Sequence, residues 1–308
     1  MGKLVRSRLF WIAAVFLVVA SLLPLGAGLY VLGLLTIAYY FGVFSMAWDL
    51  LFGYAGEVNF GPTFLIGLGA YTAGILDSRW HLPVGWCVVA GTCAAVLGGV
   101  ALALPALRLR GPYFGLTTLV AVLLMQSLIV VFADLTGGEI GLTVPDVIAV
   151  DPRVNYYIAL GFMTITGIVL WALVRSPIGL ILEAIGQDPV DAAALGFNVA
   201  KHKVAAFCVS ALFSGLGGAL LVFYMGTASV GSLIDVSVGV QIIIGAVLGG
   251  RRTILGSVFG AIFLIAAGEA LRPLGTLSTF VVSLIALVVI MVAPSGLLGV
   301  LLRKGERA

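Results

Sequence analysis

Apolar residues run along this chain in blocks of about 20, the length that crosses a bilayer core as a helix. Polar or glycine-rich breaks separate them, and the period-two alternation of a membrane barrel strand is absent. The blocks predict spans over 9–26, 29–52, 60–78, 83–105, 113–134, 155–174, 203–225, 236–250, 254–271 and 276–293, with the eighth and ninth short. The expected fold is an all-α membrane protein, a polytopic bundle of about ten transmembrane helices, with 1–308 as one transmembrane domain. Composition agrees: 62% of the residues are hydrophobic and 9% charged, against roughly 25% charged in soluble domains. The 41 glycines point to helices in close approach, because lipid gives no hydrophobic drive for helices to associate and packing must supply it.

Charge sets an expected orientation. With the first span starting inside, thirteen of the 16 basic residues fall on the inner side: Lys3, Arg6, Arg8, Arg108, Arg110, Arg175, Lys201, Lys203, Arg251, Arg252, Arg303, Lys304 and Arg307. Arg79, Arg153 and Arg272 fall outside. This asymmetry puts both termini and the loop 175–203 in the cytoplasm. The basic, apolar N-terminus lacks a small-x-small cleavage site and reads as an uncleaved first span. A net charge of +3 is too small to suggest nucleic acid. Cys87, Cys93 and Cys208 lie in apolar runs and read as packing residues. No phosphate loop, HExxH, GxSxG or cysteine–histidine cluster occurs, so enzymatic activity is not expected. That leaves a translocation subunit driven by a separate ATPase, a self-sufficient ion-coupled transporter, or a passive channel.

Two polar interruptions carry the candidate chemistry. The first, Arg175 to Lys203, shows two helix signatures in succession: Ser176 as cap with Pro177 opening and Gly186 stopping, then Asp188 as cap with Pro189 opening and Gly196 stopping. Helices this short are marginal alone in water and need something to dock against. Ala192, Ala193 and Ala194 beside Asp188 and Asp191 suit insertion into a groove on another protein, and this loop favours an external motor. The second, 53–62, holds three glycines, Pro62 and Glu57 between two apolar spans. Broken backbone at membrane depth survives where it lines a cavity or is buried in protein. A helix opening at Pro62 would aim free N–H groups at a passing carboxylate while Glu57 met an ammonium. The other reading is a cytoplasmic turn, since residues 29–52 already reach roughly 36 Å.

Asn59-Phe60-Gly61 followed by Gly67 matches Ser237-Val238-Gly239 followed by Gly245. Blocks 29–134 and 203–293 would then form an inverted-topology repeat, a geometry that places a translocation path at the repeat interface. Glu57, Asn59, Gly61, Ser237 and Gln241 are the path candidates. Gly245/Gly249 and Gly256/Gly260 have GxxxG spacing and are assigned to packing. Asp49, Asp77, Glu269 and Arg272 sit at expected span ends. The loop between spans five and six carries Glu139, Asp146 and Asp151 and reads as a landing surface or a solvated loop.

These residues together resemble the permease subunits of branched-chain amino acid ABC importers, the LivM type more than its LivH-type partner. The resemblance is carried by Gly53-Tyr54-Ala55-Gly56-Glu57-Val58-Asn59-Phe60-Gly61, by Gly67 to Tyr71, by Leu107-Arg108-Leu109-Arg110-Gly111-Pro112-Tyr113-Phe114, and by Arg175-Ser176-Pro177-Ile178-Gly179. Leu248-Gly249-Gly250 and Gly296-Leu297-Leu298-Gly299 extend it over most of the chain. It implies a type II importer fold in the bacterial inner membrane, a second homologous permease subunit, two ATP-binding subunits and a periplasmic substrate-binding protein. ATP and Mg would be bound by the ATPase subunits, with no cofactor on this chain. The loop 175–203 would supply the coupling helices, with Glu183, Ala184, Asp188, Pro189, Asp191, Ala192, Ala193 and Gly196 as ATPase-coupling residues. Pro62 stands where relatives often have histidine, and Gly186-Gln187-Asp188-Pro189 where an Arg-Glu-rich stretch is common. These departures leave urea, amides or aromatic acids open as substrates beside branched-chain amino acids.

Overall fold

The computed structural model describes residues 3–106, 112–275, 277–292 and 296. Arg108, Arg110, Arg303, Lys304 and Arg307, together with 107–111 and 297–299 of the resemblance, lie outside the described residues. The helices are α1 Lys3–Leu22, α2 Leu29–Asp49, α3 Pro62–Trp80, α4 Val84–Ala106, α5 Pro112–Val131, α6 Ala133–Thr136 and α7 Pro152–Arg175. There follow α8 Pro177–Gln187, α9 Pro189–Ala194, α10 Val199–Met225, α11 Val230–Leu233, α12 Val236–Gly249, α13 Ile254–Ala270 and α14 Leu277–Val292. Each of the ten expected spans coincides with one helix, and α12 and α13 are short at 14 and 17 residues. Six stretches are long and apolar enough to cross a membrane on length and composition alone: Leu29–Tyr54, Val84–Pro105, Tyr113–Val131, Pro152–Arg175, Val199–Met225 and Val230–Gly249.

The helices pack as two trios. One joins α3, α4 and α10; the other joins α12, α13 and α2. Exchanging α2 with α10, α3 with α12 and α4 with α13 converts one trio into the other. The same exchange takes α5, which leans on α3 and α4, into α14, which leans on α12 and α13. The repeat read from glycine spacing is therefore an interleaved one, in which each block lends its first helix to the other.

Glycine makes both trios possible, because backbones in lipid approach closely only where no Cβ intervenes. A Cβ on Gly260 would overlap the Gly245 carbonyl, and one on Gly249 the Gly256 carbonyl, so both GxxxG pairs form the α12–α13 seam. In the first trio a Cβ on Gly69 would overlap the Gly215 carbonyl, and one on Gly218 that of Ile66. Gly91 of α4 faces the Gly69 carbonyl as Gly260 faces that of Gly245. The packing thus aligns Gly69, two residues beyond the Gly67 of the sequence match, with Gly245. Gly67 instead receives the Ile234 side chain, 2.6 Å from where its Cβ would be.

Two faces follow from the connections. One gathers the α2–α3 connection, the α8–α9 loop and the α12–α13 turn, and with them Arg175, Lys201, Lys203, Arg251 and Arg252. The other carries β1 Leu142–Thr143 and β2 Thr227–Ala228, whose antiparallel pairing (Leu142 with Ala228, Thr143 with Thr227) joins the loops of the two blocks.

Gly260→Ala should lower unfolding stability by about 1–3 kcal/mol through forced separation of α12 and α13. Gly268→Ala, with nothing within 4 Å of the new methyl, should be neutral or gain up to about 1 kcal/mol in helix propensity. Unfolding of the two variants in detergent distinguishes them; equal behaviour would refute the seam.

Candidate functional site

The loop between α7 and α10 folds as the expected two short helices, with two local differences. Ser176 occupies the cap position of α8, but its hydroxyl donates to the Leu173 carbonyl at 2.7 Å and no side-chain cap forms. Pro177 at the first position carries no N–H, so little is lost there. Gly186 does not stop α8, which continues to Gln187; it packs so closely on Gly56 that a Cβ would overlap the Tyr54 carbonyl. The second helix forms as its sequence dictates. Asp188 Oδ1 accepts from the Val190 and Asp191 N–H groups at 2.7 and 3.2 Å. At the other end Gly196 adopts φ +89°, its N–H donates to the Ala193 carbonyl, and the Phe197 N–H donates to that of Ala192. This six-to-one and five-to-two pair is a Schellman stop, which requires a left-handed residue where glycine has no Cβ penalty.

The loop has an inward and an outward side. Leu182, Ile185 and Ala192 are buried, while Asp188, Pro189, Asp191, Ala193 and Gly196 are exposed and Val190 and Leu195 project at 71% and 73% exposure. Ala184 is half-buried, and Glu183 turns back into the bundle.

Glu183 meets Arg252 there, Oε1 to Nη1 at 3.2 Å. Arg252 ties the end of α2 and α8 to its own turn. Its N–H donates to Asp49 Oδ1 at 3.1 Å, its Nε to the Gly53 carbonyl at 2.9 Å, and its own carbonyl accepts from Tyr54 Oη at 2.8 Å. It holds φ +63°, a left-handed conformation uncommon for a residue with a Cβ, and these bonds over-determine it. The clamp joins α8, the π-helical turn Leu50–Tyr54 that ends α2, and the α12–α13 turn. Asp49, expected at a span end, is there and is only 1% exposed. Its Oδ1 accepts from the Arg252 backbone N–H, while Oδ2 is buried with no hydrogen-bond partner among the described residues, so its burial is only partly compensated.

The stretch 55–61 is not helical and runs from the loop face into the bundle. At its start Gly56 touches α8, and Glu57 is ion-paired with Lys203 of α10, so its carboxylate is engaged. Further in, Asn59 is buried: its carbonyl accepts from Trp48 Nε1 at 2.6 Å and its Oδ1 accepts from the Gly61 N–H at 2.8 Å. Phe60 N–H donates to Thr118 Oγ1 at 3.0 Å, and a Cβ on Gly61 would overlap the Thr118 carbonyl. Thr118 is the seventh residue of α5, about 9 Å along it at 1.5 Å per residue. Helix α3 therefore begins well inside the bundle.

Its counterpart α12 begins inside from the opposite face. Asp235 caps it through the Ser237 N–H at 2.7 Å, and Ile234, which precedes the cap, reaches Gly67 of α3 and accepts from Gln126 Nε2 at 3.2 Å. The two starts meet: a methyl at Gly239 would stand 3.6 Å from the Thr63 side chain. Ser237 and Gln241, four apart, lie exposed on one face of α12, whereas Glu57, Asn59 and Gly61 are held within the protein. The structure thus groups the path candidates around two opposed helix starts without making one open site of them.

Sequence reasoning missed three residues here. Lys203 and Arg252 appear in the sequence only as inner-face charges, and Thr63 has no polar neighbour to mark it. Only the doubled glycine and arginine of 249–252 hinted at a special turn. On the opposite face, Asp151 caps α7 through the Arg153 N–H at 2.8 Å, Asp146 N–H donates to buried Asp77 at 3.3 Å, and Glu139 is exposed beside Ile140.

The sequence relationships fit this architecture. The family model described as "Branched-chain amino acid transport system / permease component" matches residues 30–294. The high-affinity branched-chain amino acid transport system permease protein LivM of Escherichia coli K12 is 25% identical, over 96% of this chain and 76% of its own length. A probable LivM of Methanocaldococcus jannaschii is 23% identical over 60% of this chain and 66% of its own. The fructose import permease FrcC of Rhizobium meliloti is 31% identical over 39% of this chain and 35% of its own. No solved structure matches. The match from the second span to the last, on a bundle of interleaved four-helix blocks, makes this chain an integral membrane protein of the branched-chain amino acid ABC transport permease family.

Proposed function

We propose that this chain is one permease subunit of an ATP-driven importer for branched-chain amino acids or a related small polar solute. Its partners are a second permease, two ATPase subunits docked on α8–α9, and an external binding protein landing near Ile140. The supporting observation is the join between α8 and the bundle. The outward side of the loop offers the rigid, capped α9, with Val190 and Leu195 free to enter a groove on a motor subunit. The inward side runs through Glu183 to Arg252, and from there to both blocks of the repeat. A push on α9 therefore reaches the inner ends of α2, α12 and α13 without passing through a flexible segment. In this reading both termini and this loop lie in the cytoplasm, which the distribution of basic residues supports.

The path in this reading lies where α3 and α12 begin. Opposed helix starts bring N–H groups and two positive dipole ends toward one level of the bundle, an arrangement suited to a substrate carboxylate. Ser237 and Gln241 stand on the open side, and Glu57 becomes available when motor closure separates it from Lys203. A self-sufficient carrier and a passive channel are the alternatives. In proteoliposomes the full assembly should concentrate leucine only with ATP, and this chain alone should not; solute accumulation by the chain alone on an ion gradient would overturn the proposal.

In the same assay Asp188→Ala with Gly196→Val should cut uptake several-fold while membrane insertion is retained, because the cap contributes ~0.5–2 kcal/mol and valine opposes the left-handed stop. Arg252→Gln and Glu183→Gln should each lower uptake per ATP hydrolysed, and the double variant should be no worse than either. Additive losses would show that the pair is not one link in the chain of force. For the path, a version without native cysteines carrying Ser237→Cys or Gln241→Cys should react with an impermeant thiol reagent at rest. Asn59→Cys should react only during turnover, and reaction of Asn59→Cys at rest would remove the 55–61 segment from the gated path.

A further inference from the structure

Among the described residues three buried hydroxyls have no hydrogen-bond partner in the protein, those of Thr63, Tyr71 and Thr166. Thr166 belongs to α7, but Thr63 and Tyr71 are both on α3, eight residues apart and therefore on one face of it. Their exposures are 0% and 4%. Threonines in helices can satisfy themselves by donating to the carbonyl three or four residues back, as Thr36, Thr92, Thr117, Thr118 and Thr164 do here. For Thr63 the residue four back is Asn59, which lies outside the helix and whose carbonyl already accepts from Trp48. A buried hydroxyl left unpaired is costly, and two on one face of one helix point to a partner that comes and goes.

The rest of that face shows where such a partner would pass. Gly67, midway between the two hydroxyls, takes the Ile234 side chain into the notch that a Cβ would fill, with two Ile234 carbons 2.6 and 2.7 Å from that point. On one side of the notch Thr63 faces Gly239 of α12; on the other Gly74 faces Leu142 and Val144 at β1. From Thr63 to Gly74 the face runs about 16 Å at 1.5 Å per residue, between the α12 start and the strand pair β1–β2. Ile234 interrupts it as a buried aliphatic side chain set between two unpaired hydroxyls. It stands at the junction of α11 and α12, next to the Asp235 cap, and its carbonyl accepts from Gln126 Nε2 at 3.2 Å. A residue between two helices can swing out by changing a few backbone angles, without unwinding either helix.

We infer that this face of α3 is a wall of the solute path, that the Thr63 and Tyr71 hydroxyls are the groups it presents to a small hydrogen-bonding solute, and that Ile234 in the Gly67 notch is the plug that closes the path at rest. A hydroxyl both donates and accepts, so each can serve a carboxylate, an amide or an ammonium as it passes, and the solute supplies the bonds that the resting protein lacks. The inference rests on the transport reading and adds to it which side chains touch the solute and which one excludes it.

The experiment uses the assembled transporter, without its native cysteines, in proteoliposomes. Thr63→Cys should be inert to an impermeant thiol reagent at rest and react several-fold faster once Ile234→Ala is added. Leu233→Ala, which empties a similar volume at the neighbouring buried position, should leave Thr63→Cys inert. Equal exposure by both alanine variants, or by neither, overturns the plug, as does reaction of Thr63→Cys at rest with Ile234 in place. With native cysteines retained, Thr63→Val and Tyr71→Phe each remove one hydroxyl at nearly constant volume. Each should cut ATP-driven leucine uptake several-fold with a melting temperature equal to or above that of the unaltered protein, and Thr63→Ser should restore most of the uptake. Unchanged uptake in both overturns the solute contacts. So does uptake falling together with melting temperature, the result for hydroxyls that hold a structural water. Thiol accessibility at rest needs neither solute nor nucleotide. Failure of the plug with ATP-driven uptake intact removes this inference alone, whereas accumulation by the chain alone on an ion gradient removes the motor reading and leaves the thiol result standing.

Discussion

The close approach of helix backbones at glycine is the constraint on which this structure rests. In lipid the hydrophobic effect does not draw one apolar helix to another, so two helices stay together through short-range packing and through whatever polar contacts that packing permits. Here Gly69 and Gly215 in one trio, and Gly245, Gly249, Gly256 and Gly260 in the other, put main chain against main chain. A single Cβ at most of these sites would overlap a carbonyl. Since each block lends its first helix to the other, the two seams also hold the blocks together.

Interleaving has a second consequence at the helix starts. Neither α3 nor α12 begins at a face of the bundle, because the chain before each, the non-helical stretch 55–61 and the segment of β2 and α11, runs into the bundle from opposite sides. Backbone polar groups at that depth must find partners within the protein, and here they do. Asn59 serves the Gly61 N–H, Thr118 that of Phe60, Asp235 that of Ser237, and Gln126 the Ile234 carbonyl. The polar side chains in these stretches first satisfy the backbone. Their availability to a solute is gained by movement, which places the transport reading on the dynamics of the two blocks more than on a preformed pocket.

The charged residues at the loop face obey the same economy. Asp49, Glu57 and Glu183 each meet a basic group or its backbone from a distant part of the chain: Arg252 for the first and third, Lys203 for the second. The partly exposed Arg252–Glu183 pair adds little stability, and the more buried Glu57–Lys203 pair has to offset its own desolvation, so their value is in register. They fix α8 against α2, α10 and the α12–α13 turn in one arrangement.

The sequence by itself determined the spans, the capped α9 with its glycine stop, and the GxxxG seam, because helix length, capping and small-residue spacing are local properties that neighbours in the chain decide. It also carried the family, through motifs spread from Gly53 to Gly250. It misjudged Ser176 and Gly186, whose local signatures gave way to Leu173 and to Gly56 across a tertiary contact. Only the fold decided that Gly69, not Gly67, aligns with Gly245, that Glu57 meets Lys203, and that Arg252 closes a clamp on Asp49 and Glu183. Those partners lie 146, 203 and 69 residues apart, and no local pattern encodes a contact that exists only once two blocks of opposite orientation have been threaded through each other.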